Sequence, residues 1–237
     1  MDLDIEGKVA LVTAASRGLG FASASALVAE GCRVAICGRD PERLASAQAE
    51  LGEDAFGVVA DVSTPDTPAR LVKDTVDRFG RLDIVVANAG GPPKSRAVDV
   101  QDGPMLDALQ ANLLTSIRLV QSALPHLRAT GAGRIVCITS SAVKQPIPDL
   151  AYSNTARTGL WGWAKTAAIE LAPEGITLNL VCPGLHATDR ALALGSEGPF
   201  GDPADLGRVV AFLCSASASF ISGVALQVDG AHTVGLL

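Results

Sequence analysis

The chain has 237 residues, 48% of them hydrophobic, which suffices for one sizeable core and fits one large α/β domain or two small ones. Its net charge is −6 with no basic run, which argues against a nucleic-acid partner, because neutralising phosphates takes a cationic face. No apolar run approaches the ~20 residues of a membrane span, and the acidic opening "MDLDIEGK" lacks the regions of a signal peptide, so a soluble cytoplasmic protein is expected.

The first strand is expected over "KVALVT" (8–13), followed at once by "VTAASRGLGFA". Glycines where a helix opens let a phosphate approach free backbone N–H groups and the positive end of the helix dipole, and Gly18 and Gly20 suit that role. The helix "GFASASALVAEG" ends on glycine, and a second strand, "RVAIC" (33–37), runs into "CGRD". There Arg39 stands where a Rossmann-type sheet meets the adenosine ribose. An arginine at that point favours a 2′-phosphate, and Arg17 in the glycine loop offers a second guanidinium for it. Asp40, next to Arg39, leaves room for NADH.

The helix "PERLASAQAEL" starts with proline, followed by a strand at 55–59, a helical segment at 66–79 and a strand at 82–87. "GGPPKSR" (90–96) is expected to line the cofactor or substrate cleft. Continuous helical periodicity covers 102–129, a strand 133–139, a helix 150–172 and a strand 175–182. The glycine- and proline-rich segment 186–203 reads as a loop with one short helix, before a last strand at 224–228. Near-continuous apolar strands alternating with helices imply a parallel sheet covered on both faces. The expected fold is therefore a single doubly wound α/β domain over 1–237, Rossmann-type, with a seven-stranded parallel sheet. The five cysteines show no CxxC and fall mostly in strands, so they read as buried thiols. His126, His186 and His232 lie far apart, and no metal is expected.

These segments resemble the short-chain dehydrogenase/reductase family over nearly the whole chain, and most of all its 3-oxoacyl-carrier-protein reductases. "TAASRGLG" (13–20) resembles the TGxxxGxG loop, which implies cofactor contacts by Thr13, Ser16, Arg17, Gly18, Leu19 and Gly20. "ADV" implies an adenine contact by Asp61, with Val62 beside it, and "ANAGG" resembles the NNAG motif through Asn88, Ala89 and Gly90. "CPGLHAT" resembles the loop flanking the nicotinamide, with Pro183, Gly184 and Thr188. The resemblance also implies a catalytic set of Asn112 in "QANLL", Ser140 in "ITSS" and Tyr152. In the family mechanism the tyrosine protonates the carbonyl oxygen as hydride arrives, the serine hydrogen-bonds the same oxygen, and a lysine four residues on supports the tyrosine.

Three departures stand out. Ala14 replaces the first loop glycine, where a methyl is less tolerant of positive φ. Ser140 and Tyr152 are twelve residues apart, one fewer than the family spacing, and Ala156 stands where the lysine would be. Arg157 follows one residue late, as in a divergent branch that carries a "PIP…SN…R" segment. A step of five along a helix turns about 140°, so Arg157 is expected on a different face from Tyr152. Arginine stays charged and can stabilise negative charge without relaying its own proton. An unshifted tyrosine, with pKa of about 10, is seldom ionised near neutrality, so carbonyl reduction is favoured over alcohol oxidation.

The expected function is an NADPH-dependent reductase of a small-molecule ketone, 3-oxoacyl or polyketide-like, with Tyr152 as acid and Arg157 as partial compensation. The alternatives are a cofactor-binding protein without turnover, suggested by Ala14 and Ala156, and an NAD-linked dehydrogenase, disfavoured by Arg39. A homodimer or homotetramer is expected, with Trp161 and Trp163 read as core or interface packing in preference to lining a pocket.

Overall fold

The computed structural model describes residues 2–195 and 197–235. Seven strands, β1 (Val9–Val12), β2 (Arg33–Gly38), β3 (Ala55–Val59), β4 (Ile84–Ala87), β5 (Arg134–Ile138), β6 (Thr177–Pro183) and β7 (Ala225–Val228), form one sheet in the order β3-β2-β1-β4-β5-β6-β7. Every pairing is parallel. Strands β1, β4, β5 and β6 are buried along their full length, which is why they read as mostly apolar runs rather than alternating ones.

Alternate strand residues feed two cores. Val9 and Leu11 face α3 (Thr67–Phe79), α5 (Thr115–Thr130) and α6 (Ala151–Leu171), where Leu71, Leu119 and Leu160 pack. Ala10 and Val12 face α1 (Gly18–Ala29), α2 (Pro41–Leu51) and α8 (Pro203–Leu213), where Leu27, Leu44 and Leu206 pack. All five cysteines are buried. Helix α2 begins on the Asp40 side chain, which accepts from the N–H groups of Glu42 and Arg43, both at 3.1 Å.

Two elements differ from the sequence expectation. Helix α8 was not anticipated. It contains Gly207, where a Cβ would lie 2.3 Å from the Ala22 carbonyl oxygen, so a residue unfavourable to helices is what lets α1 approach α8. The single helix expected over 102–129 is divided into α4 (Asp102–Leu109), a π-helical turn (Gln110–Leu114) and α5. Thr115 holds the turn open by donating its hydroxyl to Gln110 O at 2.9 Å, and the turn carries Asn112. The short helix expected between 186 and 203 is α7 (Asp189–Ala193).

Candidate active site

The loops at the carboxyl ends of the strands enclose a cleft of about 950 Å³. It opens where the chain reverses direction across the sheet, between β1 and β4, the usual ligand position in such sheets. Ser16, Arg17, Gly18, Leu19, Arg39, Asp61 and Val62 line one half of it. Asn88, Ala89, Gly90, Asn112, Ser140, Arg157, Pro183, Gly184 and Thr188 line the rest.

Thr13 and Gly20, expected among the contacts, stand behind the wall. The Thr13 hydroxyl donates to Asn88 O at 2.7 Å and accepts from Asn88 N at 2.9 Å, clamping β1 to the loop after β4. A Cβ on Gly20 would meet the Asn88 amide nitrogen at 2.6 Å and Ala14 O at 2.7 Å. Both residues therefore shape the loop without reaching into the cleft.

The cofactor half fits a dinucleotide. Helix α1 starts without a side-chain cap, leaving its first N–H groups free for an anion. Gly18 takes φ 60° and Ala14 takes φ 48°, both in the left-handed region. Ala14 is held there by Asn88 Nδ2, which donates to its carbonyl at 3.1 Å, and by its own N–H, which donates to Cys37 Sγ at 3.3 Å. Arg39 is 77% exposed and 3.9 Å from Asp61, which leaves its guanidinium free to take a phosphate. Arg17 crosses the cleft mouth to Asp189 at 2.5 Å. The Thr188 hydroxyl accepts from Ala191 N at 3.3 Å, capping α7 against the glycine loop.

The expectation that Tyr152 reaches the cleft is overturned. Tyr152 is 4% exposed and packs with Ala156 and Ala108 in a separate cluster, and its hydroxyl accepts from Gln101 N at 3.1 Å. The side chain facing the cleft is its neighbour, Ser153. Positions four apart share a helical stripe, so Ser153 and Arg157 face the cleft together while Tyr152 and Ala156 face away together. Ser140 to Ser153 spans thirteen residues, which restores the spacing that seemed one short, and Arg157 then falls at the lysine position. Sequence reasoning missed Ser153 because it followed the tyrosine rather than the interval.

Arg157 is 8% exposed, and its Nη1 donates to Ile138 O and Thr139 O, both at 3.1 Å, at the end of β5. Burial, with the nearby charge of Arg190, pushes its pKa down to about 10, so it is a cation at neutral pH. The Ser140 hydroxyl accepts from Ala142 N at 3.1 Å and keeps its own proton for a ligand. In the π-helical turn, Asn112 Nδ2 donates to Ala108 O at 3.4 Å, while Oδ1 is buried without a partner. That free acceptor suits an ordered water. Among the described residues no cluster of side chains could hold a metal ion, and no helix is long and apolar enough to cross a membrane.

The family model described as enoyl-(acyl carrier protein) reductase matches residues 13–233. The 3-oxoacyl-(acyl-carrier-protein) reductase of Vibrio cholerae is 32% identical over 96% of this chain and 98% of its own. The human dehydrogenase/reductase SDR family member 4 is 33% identical over 95% of this chain and 87% of its own. The crystal structure of L-sorbose reductase from Gluconobacter frateurii, complexed with NADPH and L-sorbose, superposes with a TM-score of 0.91 at 28% identity, covering 97% of this chain and 98% of that one. With the sheet order, the glycine loop and the Asn112–Ser140–Arg157 cleft already in place, these matches settle the family: the chain belongs to the short-chain dehydrogenase/reductases, NAD(P)-dependent oxidoreductases whose members here are reductases.

Proposed function

We propose that the protein reduces a ketone with NADPH, holding the carbonyl oxygen between Ser140 and Ser153 beside the charge of Arg157. The observation that carries this reading is the cleft-facing pair Ser153 and Arg157 on α6, with Ser140 at the end of β5 lining the same cleft. NADPH rather than NADH is supported by Arg17 and Arg39 on the cofactor half and by the NADPH bound to the sorbose reductase. When bound, NADPH supplies the hydride. The two serine hydroxyls donate to the carbonyl oxygen, and Arg157 stabilises the negative charge that grows there. A water held by Asn112 Oδ1 would give its proton to the alkoxide, forming the alcohol, and leave through the open cleft as hydroxide. Tyr152 has no part in this chemistry and acts as packing for the loop at Gln101. The protein works in the cytoplasm as a homo-oligomer. Phe220 is fully exposed beside the sheet edge, with Val224, Leu226 and Ile169 of α6 also uncovered, an apolar region suited to a second copy. Light scattering should return the mass of a dimer or tetramer, and a monomer at micromolar concentration would reject this part.

The test is kcat/KM for NADPH-dependent reduction of a ketone panel by wild type, Ser153→Ala and Tyr152→Phe. Ser153→Ala should lose about 10- to 100-fold. Tyr152→Phe should stay within about threefold of wild type while losing about 1 kcal/mol of stability with the Gln101 hydrogen bond. The reverse pattern would reinstate Tyr152 as the acid and sink this reading. Tight NADPH binding with no turnover of any ketone would favour the second reading, a cofactor-binding protein without turnover, to which the removal of Tyr152 from the cleft lends support.

A further inference from the structure

The cleft holds two guanidinium groups whose protein partners are all neutral. Arg157 donates to two backbone carbonyls at the end of β5. Arg190, on α7, donates Nη2 to Pro92 O at 2.6 Å. Its guanidinium lies over Gly91, where a Cβ would meet Nη2 at 2.9 Å. Among the described residues neither arginine has a carboxylate within 4.0 Å. The acidic groups on the cofactor half are already engaged, Asp189 by Arg17 and Asp61 by Arg39 and Ser63. Asp107 and Glu197 line the cleft without pairing to either arginine.

Arg157 is a buried cation without an anion, which destabilises a fold and persists where a ligand completes it, while Arg190, exposed at the cleft, keeps its guanidinium open to an incoming anion. The charge of Arg190 reaches Arg157, adding to what burial does in lowering its pKa, so one added negative charge relieves both. A guanidinium presents a planar fork that matches a carboxylate, and Gly91 leaves room for it to lie flat across the turn after β4. Apolar walls from Ile147, Leu150, Leu185 and Leu194 complete the space for a short carbon chain.

Resting on the reductase reading above, we infer that the substrate is an oxo acid, its carboxylate held by Arg190 and its oxo group by Ser140 and Ser153. Arg190 is then a specificity-determining residue, selecting a free carboxylate over an ester or thioester. The other source of anionic charge is a cofactor phosphate, and the experiment separates the two.

The probes are 2-oxobutanoate and 3-oxobutanoate, the methyl ester of each, and malonate, which has a carboxylate but no ketone to reduce. Wild type should prefer acid to ester by about 100-fold in kcat/KM, and Arg190→Met should lower that ratio about 100-fold, with Arg190→Lys recovering part of it. Malonate should bind the protein saturated with NADP⁺ in calorimetry, and bind about 100-fold more weakly to Arg190→Met, while NADPH affinity moves by less than about threefold. Acid and ester reduced equally by wild type would overturn the inference. So would an unchanged ratio in Arg190→Met with NADPH affinity down about tenfold or more, which would assign Arg190 to a cofactor phosphate. Should no ketone be reduced, the reductase reading fails while malonate still decides: binding that depends on Arg190 upholds the carboxylate site, and absent binding removes it.

Discussion

Strand β5 has a buried arginine at each end, and the two are put to opposite uses. Arg134, the first residue of β5, donates Nε to Ser215 O at 3.3 Å and Nη1 to Ala132 O, Gly133 O and Gly175 O at 3.0, 3.0 and 3.2 Å. It ties together three chain segments at the amino-terminal edge of the sheet. Beside it Asp83 accepts from Val9 N at 2.9 Å and pairs with Arg81 at 2.6 Å. Arg157, beside the far end of the same strand, donates to Ile138 O and Thr139 O and lines the cleft. A buried guanidinium that cross-links loops is a structural group; one with donors left over beside a cavity is a ligand group.

The largest expected effect tests the functional end. Arg157→Met should cut kcat/KM for ketone reduction by about 10³-fold while leaving the thermal midpoint within a few degrees, because the lost hydrogen bonds are offset by removal of a desolvated charge. Wild-type kcat/KM should hold level through neutrality and fall as pH rises through about 10, where Arg157 gives up its proton. The stability consequence has the opposite sign. Its folded pKa of about 10 lies below the ordinary arginine value, so between the two the unfolded chain binds more protons and this group's contribution to stability rises with pH. A pH–rate profile with the same alkaline limb in Arg157→Met would show that another group sets it.

The next effect falls at the structural end and should invert the pattern. Arg134→Met leaves four carbonyls without their donor and should destabilise by about 3 kcal/mol, lowering the thermal midpoint by roughly 10 °C. Activity per folded molecule should stay within about twofold. Loss of activity without loss of stability would erase the distinction between the two ends.

The same contrast explains what could be read from the sequence. The strands were legible because β1, β4, β5 and β6 are buried on both faces and are therefore predominantly apolar, with Arg134, Thr177 and Asn179 the polar residues among them. The glycine loop, Asn112 and Ser140 were legible because their motifs are local. Helix α8 was not, since Gly207 answers to the Ala22 carbonyl of another helix. The π-helical turn was hidden because helical periodicity runs through it unbroken. At α6 the identity of Tyr152 outweighed an interval that pointed to Ser153, although the expected divergence between the faces of Tyr152 and Arg157 was already sound. Arg190 gave no signal because its partner Pro92 lies 98 residues away in the chain.

The smallest effect concerns backbone strain at the cleft. At the amino-terminal edge the left-handed positions after α5 and near the end of α6 are glycines, Gly131 at φ 66° and Gly175 at φ 74°. At the cleft the corresponding demand falls on Ala14, at φ 48°. An L-residue in that region costs roughly 1–2 kcal/mol, and strain of this size tends to collect at functional sites. Ala14→Gly removes the strain but gives the unfolded chain more freedom, which returns part of the gain. The net expectation is stabilisation by about 1 kcal/mol, a thermal midpoint higher by roughly 3 °C. The Cys37 and Asn88 contacts to the Ala14 backbone survive the change, since neither uses the methyl group. NADPH affinity should stay equal or tighten by less than about threefold, because the free amides of α1 are untouched. Thermal unfolding of the two proteins decides the matter. A less stable Ala14→Gly would mean that the methyl contributes more by packing than the backbone loses by strain, and the cleft end would then be no more strained than the other.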